Sequence, residues 1–290
     1  MANSIALAKK YSPLLDEVYK NVALSSALDS TSILTREGAN ANEIIIPKLA
    51  LQGLATYGRN TGYVSGDTTL TWETLAFNYE RGRMFGIDRM DNEQSLDVAF
   101  GMLAGEFMRV RVIPEVDAFR FATYATLAGT KPAGATLATG AEVIAALRVA
   151  DTTMDENEVP LEGRVLYITP TLKGLVEDLA TTASREVLAK YSRIIAVPQT
   201  RFYSIIDLYD GTTAGQEDGS YIKNVAGGKD INFLAVHPSA VLQFTRNSLP
   251  KIVNPDDNQV ADQWKFGYRI YGLADAFDNK TKGIYVHKKA

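Results

Sequence analysis

The chain has 290 residues, 46% apolar and 22% charged, a globular composition with enough apolar mass for one large or two medium cores. Thirty Lys and Arg against 34 Asp and Glu leave a net charge of -4, which excludes the generally basic surface of a nucleic-acid binder and confines any such contact to local patches. With no cysteine, disulfides, thiolate metal sites and cysteine nucleophiles are excluded; no apolar run reaches the roughly 20 residues of a membrane-spanning helix, and residues 1–10 lack the apolar centre of a secretory signal, so a soluble protein is expected.

Between residues 4 and 28, Leu7, Leu14, Leu15, Val18, Val22 and Leu28 are interleaved with Lys9, Lys10, Glu17 and Lys20 and interrupted at Pro13. This amphipathic pattern predicts a short helix, either on an N-terminal arm or docked on its own domain. The run Glu43-Ile-Ile-Ile-Pro-Lys-Leu49 then suits an edge strand, because Pro47 has no ladder donor. Gly58-Arg-Asn-Thr-Gly-Tyr-Val-Ser-Gly-Asp67 is rich in turn residues and predicts a hairpin tip. On the return, Leu75, Phe77, Tyr79, Arg81, Arg83, Phe85 and Ile87 take alternate positions, apolar near the middle and basic further on. Residues 43–88 therefore read as one long two-stranded arm. Such a ribbon is marginal in water unless a further layer covers its apolar face, and the expected layer is another subunit.

After Asp91 or Asn92 as cap, Leu96, Phe100, Leu103, Phe107 and Val110 follow at spacings of four, three, four and three and predict a long helix. Pro114 should kink it, Val116, Phe119, Phe121 and Tyr124 extend it, and Gly129 should stop it. A Gly-, Ala- and Thr-rich linker over 129–140 marks a boundary. Beyond it, helices over 142–153 and 172–181, the latter begun by Thr169 or Thr171, alternate with strands over 164–169, 194–197 and 233–236 and a polar loop over 210–228, predicting a compact α/β unit. Strands over 241–245, 268–271 and 284–286, with a loop over 250–262, are expected to pair beside the long helix.

Few residues suit catalysis. Of the two histidines, His237 and His287, the first has Ser239 nearby, but no Gly-x-Ser-x-Gly elbow occurs, so His237 reads as a strand-end residue and no catalytic residue is assigned. Neither phosphate-cradling glycine motif is present. Asp256, Asp257 and Asp262 share a loop without calcium-loop spacing, and Asp155, Glu156 and Glu158 likewise read as solvated, so no metal or cofactor is expected. Arg81, Arg83 and Arg89 suit carboxylates across an interface, or phosphates, as well as a solvated strand face.

The order of parts resembles the major capsid proteins of tailed bacteriophages, the Hong Kong 97-type fold. Tyr79-Glu-Arg-Gly-Arg-Met-Phe-Gly-Ile-Asp-Arg-Met-Asp91 is similar to that family's return from extended loop into spine helix. Ala196-Val-Pro-Gln-Thr-Arg-Phe-Tyr203, Phe233-Leu-Ala-Val-His-Pro-Ser-Ala-Val241, Tyr271-Gly-Leu-Ala-Asp-Ala-Phe277 and Gly283-Ile-Tyr-Val-His287 resemble its apical and C-terminal parts. The resemblance implies an α+β chain with an N-terminal arm over 1–42, an extended β-hairpin loop over 43–88, a spine helix over 89–135, an apical domain over 136–240 and the rest of the peripheral domain over 241–290. It further implies a non-enzymatic protein, without cofactor or membrane, whose copies form hexamers and pentamers of an icosahedral head, assembled in the host cytoplasm. Scaffolding, portal and decoration proteins are the further partners implied, together with packaged double-stranded DNA through weak non-specific contacts.

By that resemblance the arm lies over a neighbouring subunit, and the expected intersubunit contacts are Arg59, Leu75, Phe77, Arg81, Arg83, Phe85, Asp256 and Asp257. Some relatives carry a long N-terminal scaffolding extension, which is not evident here. Some also join a lysine of the extended loop to an asparagine. Asn254 or Asn258 match the asparagine, but residues 57–67 hold no lysine and Arg59 is no amine nucleophile, so a non-covalent shell is expected. Two readings compete: a nanocompartment shell of the same fold enclosing enzymes, and an α/β enzyme built on residues 142–236.

Overall fold

The structure, a computed structural model, describes residues 23–29, 36–37, 43–94, 103, 105–179 and 181–290. Most of the helix expected within 4–28, and Leu96 and Phe100 of the long helix, lie outside them. In chain order the elements are β1 (Arg36–Glu37), β2 (Glu43–Leu51), β3 (Thr68–Ala76), β4 (Tyr79–Asp88), α1 (Arg89–Gln94), α2 (Ile113–Leu127), α3 (Gly140–Glu156), β5 (Val165–Ile168), α4 (Pro170–Leu179), α5 (Thr182–Ala189), β6 (Arg193–Ala196), β7 (Ile206–Leu208), β8 (Tyr221–Lys223), β9 (Ile231–Val236), β10 (Val241–Val253), β11 (Gln263–Ala276) and β12 (Ile284–Lys288).

The α/β unit is built on a four-stranded sheet of order β12-β9-β5-β6, in which only β5 and β6 run parallel. Alternation along each strand sends side chains to two covered faces. Leu166, Ile168, Phe233 and Ala235 meet Val143, Leu147, Val176 and Val187 of the three helices α3, α4 and α5. Val165, Tyr167, Leu234 and Val236 face the other way, into a cluster with Phe121, Tyr124 and Ala125 of α2. The first helix starts slightly earlier than its apolar spacing suggests, because Thr139 and Glu142 form a capping box. In α4, Pro170 takes the first helical position behind Thr169. Helix α5 was not anticipated. The strand expected over 284–286 does pack on α2, yet its ladder runs to β9, Ile284 opposite Val236, which ties it to the α/β sheet.

Asp88, not Asp91 or Asn92, caps α1, accepting from the Met90 amide at 2.9 Å. Helical backbone at 105–107 widens into a π-turn over Met108–Val112 directly before Pro114, which stands in the first turn of α2. The extra residue gives the proline ring room beside the preceding turn, where a regular helix would clash. The helix ends at Leu127, and Gly129 then passes so close to the chain at Thr281 that a Cβ would lie 2.7 Å from its carbonyl carbon.

The arm differs most from expectation. β2 pairs with β3 from Glu43 opposite Ala76 to Leu51 opposite Thr68, but the return leaves this ribbon at Asn78. That side chain imitates a ladder residue, donating to the Ala274 carbonyl at 2.7 Å and accepting from its amide at 3.1 Å. β4 then joins β11, from Tyr79 opposite Gly272 to Asp88 opposite Gln263, in a sheet of order β10-β11-β4. The paired ribbon is thus 43–76, and 79–88 belongs to the body. β10 and β11 are 13 and 14 residues long, far beyond the short strands expected. Pro250 is tolerated in β10 because this is an edge strand.

Two measurements check this packing. Phe121 joins α2 to the sheet, its ring 5.0 Å from Tyr167 and 5.3 Å from Phe202, so Phe121→Ala should lower unfolding free energy in urea by about 3–5 kcal/mol. His287 is buried, stacked on Phe233 and beside Asn232, and burial holds its imidazole below the ordinary value. The unfolded chain protonates there at about pH 6.5 while the folded chain does not, so stability should fall as pH drops through that value, and His287→Gln should flatten the dependence.

Candidate intersubunit site

Register assigns the two faces of the ribbon. Pro47, Leu49 and Leu51 lie opposite Trp72, Leu70 and Thr68 on one face; Ile44, Ile46 and Lys48 lie opposite Leu75, Glu73 and Thr71 on the other. The second face meets the body: Ile46 is buried, and Lys48 Nζ donates to Asp278 at 2.8 Å. The first face is open, with Leu49, Leu70 and Leu51 each more than half exposed, the last at 68%.

The tip is more exposed still. Gly58 and Gly62 exchange backbone hydrogen bonds at 3.3 and 2.7 Å, and Gly62 takes φ +77, which glycine alone adopts without strain. Around this turn Leu54 is fully exposed, Tyr63 is 89% exposed and Val64 65%. Arg59 stands exposed at its apex. Apolar surface of this kind gains about 25 cal/mol per Å² when covered, and its concentration on one feature marks an interaction surface.

The expected contact residues divide between arm and body. Leu75 is half-buried on the body-facing side of the ribbon. Phe77 packs on Tyr271, ring centroids 4.7 Å apart, and Phe85 on Phe107 at 4.8 Å. Arg81 Nε donates to Glu115 at 2.7 Å, and the Tyr79 hydroxyl donates to the same oxygen at 3.0 Å. Arg83 donates to the carbonyls of Asp218 and Glu217 at 2.9 and 3.0 Å. Phe77, Arg81, Arg83 and Phe85 therefore have partners in their own chain. Asp256 meets Arg89 at 3.4 Å, and Asp257 is exposed in the same turn. Asn258 already accepts from Lys265 at 3.0 Å.

β4, Leu103, the helical stretch 106–115 and the loop 209–220 enclose a cleft of about 870 Å³. Phe85, Leu103, Phe107 and Val110 contribute its apolar wall, the Arg81–Glu115 pair its inner end, and Asp210 and Asp218 are exposed on the loop. Arg83 pins this loop, where Gly219 leaves room for the guanidinium; a Cβ there would lie 2.9 Å from it. Asp210 is held well below the usual carboxylate range, chiefly by the Thr213 hydroxyl and then by the amides of Thr213 and Thr212.

His237 Nδ1 lies 2.7 Å from the Ser239 hydroxyl and Nε2 3.0 Å from the Glu162 carbonyl. The Ser239 amide also addresses Nδ1, so the contact closes the turn Pro238–Ala240. Arg81→Ala should lower the stability of the unassembled chain by about 1–3 kcal/mol in a denaturant titration, through the stranded Glu115, while Arg59→Ala should change it by less than about 0.5 kcal/mol.

No protein-family model matches the chain, and no curated protein does. Solved structures do. A chain from the capsid of the cyanophage P-SCSP1u is similar over 91% of this chain and 86% of its own, with TM-score 0.58 and 14% identity. One from Gordonia phage Cozz is similar over 93% and 86%, with TM-score 0.60 and 12% identity. The virus-like particle from Pyrococcus furiosus is similar over 96% of this chain and 99% of its own, with TM-score 0.58 and 12% identity. At these identities the likeness is one of fold: the chain has the α+β fold of phage capsid chains.

Proposed function

We propose that this chain is the major capsid protein of a tailed bacteriophage, assembling into hexamers and pentamers of an icosahedral head around double-stranded DNA. The observation that carries the reading is the ribbon over 43–76, whose open face and tip leave Leu49, Leu51, Leu54, Tyr63, Val64 and Leu70 in water on a chain with a capsid fold. A second copy covering them relieves that cost, and closed symmetry repeats the contact around the shell. The role is structural, with assembly in the host cytoplasm and residence in the virion. Other copies are the principal partners; scaffolding, portal and decoration proteins complete the head. A net charge of -4 suits weak, non-specific contact with the packaged DNA.

The likeness to the Pyrococcus furiosus particle favours one second reading, a shell without a genome. Nuclease-protected DNA in particles assembled in the presence of the phage genome separates the two. Negative-stain microscopy of the protein, expressed alone and with its genomic neighbours, should show closed shells. Deleting residues 57–67 should leave a cooperatively folding chain by circular dichroism and abolish shells. Normal shells from that deletion would overturn the role given to the arm, and failure of the intact chain to assemble in any of these settings would overturn the shell.

A further inference from the structure

We infer that Lys131, Lys282, Lys288 and Lys289 form a cationic strip that meets the backbone phosphates of duplex DNA inside the shell, an inference that rests on the shell reading. It assigns to named residues the local contact that a chain of net charge -4 requires. Backbone pairing brings the four together. The Gly129 amide donates to the Thr281 carbonyl at 2.9 Å, the Val286 amide to the Thr130 carbonyl at 3.1 Å and the Ala135 amide to the Lys288 carbonyl at 3.1 Å, so residues 129–135 run along the outer edge of β12. Lys282 stands just before that five-residue strand, Lys131 beside it and Lys288 and Lys289 at its end, along about 16 Å of edge. Lys131, Lys282 and Lys289 are exposed, and Lys288 is half-buried. Burial, and then the charge of Lys131, hold the Lys288 ammonium below its ordinary value, so like charges are crowded here at a cost.

The usual structural reasons for such lysines are already met in other ways. Lysine often guards a bare sheet edge, but this edge is paired with 129–135. Nor do the four answer carboxylates: among the described residues none of them forms an ion pair, and Lys131 donates to a neutral carbonyl, that of Thr126. Asp278 is paired with Lys48, Asp230 with Lys223, and Glu142 accepts from the Ala138 and Thr139 amides. Beyond Lys131 come Pro132, Ala133 and Gly134, with neither a ring to stack on a base nor the large apolar anchor of a protein interface. Compact point charges along a straight edge suit a duplex, which carries one negative charge per about 1.7 Å of axis.

Fluorescence anisotropy of the unassembled chain with a labelled DNA duplex should show affinity independent of sequence. Its logarithm should fall with the logarithm of salt concentration at a slope of about -0.9 per lysine engaged. Lys→Gln at all four positions should make that slope shallower by about 3–4, and Lys→Arg at the same four should keep it. A slope unchanged in the Gln variant would overturn the strip. Binding of polyglutamate that depends on the four lysines, with none of duplex, would overturn DNA as the partner in favour of an acidic protein segment. Reductive methylation with formaldehyde needs no substitution: the four lysines should react several-fold less in DNA-filled shells than in the same shells emptied of DNA, and equal reaction would sink the contact with packaged DNA. Absence of shells from the unsubstituted chain would overturn the shell reading alone, because the anisotropy is read on the unassembled chain.

Discussion

Of the fifteen residues of α2 only Thr126 is exposed, so almost everything else in the chain is arranged by what this helix must bury. Phe121, Tyr124 and Ala125 require the α/β sheet, while Ile113 and Val116 require Phe266, Tyr268 and Ile270 of β11. Asp117 and Arg120 are the harder demand, since a buried charge without partners is strongly destabilising. The short turn Leu24–Leu28 meets it. Asp117 accepts from the Leu24 and Ser25 amides at 3.1 Å each and from the Ser25 hydroxyl at 2.7 Å, while Arg120 donates to that hydroxyl oxygen at 2.9 Å and to Thr245 at 3.0 Å. Burial nevertheless pushes the Asp117 carboxyl above the usual range. Gln243 closes the network by donating to the Ser25 carbonyl and accepting from Tyr124. N-terminal segment, helix and β10 are thereby fixed as one unit.

Much of this was legible where the signal is local. Thr169 ahead of α4, the apolar spacing within α3 and the apolar run of β9 all depend on neighbours in sequence, whereas the capping box that starts α3 earlier went unread. The arm was misbounded for a physical reason: alternation of side chains continues unbroken through Phe77, Asn78 and Tyr79 while the hydrogen-bonding partner changes from β2 to β11. Periodicity reports which face a residue takes, not which strand lies beside it. β10 and β11 look shorter in sequence because Pro250, Lys251 and Lys265 interrupt their apolar pattern, though the edge strand β10 accepts Pro250 and the exposed Lys251, and Lys265 of the central β11 donates to Asn258.

The same limit applies to the candidate site. Arg81, Arg83 and Phe85 form a basic and aromatic stripe that reads as a clasp, but Glu115, the 217–218 carbonyls and Phe107 lie far along the chain. The open stripe of Leu49, Leu51 and Leu70 was available to the same counting of alternate positions. It becomes significant only once register shows which face the body covers.

The ribbon is held at its root by Phe77 on Tyr271 and Asn78 on Ala274, and further out by the buried Ile46 and one exposed ion pair. Lys48 and Asp278 join across a solvent-exposed gap, and such exposed pairs contribute about 0–1 kcal/mol and weaken as salt rises. Salt therefore weakens this outer tie and leaves the buried Ile46 and the Phe77–Tyr271 contact in place. A shell with both fivefold and sixfold rings asks identical chains to meet at more than one angle. On the shell reading, adjustment between those angles falls on the outer ribbon, where the exposed Lys48–Asp278 pair is weak.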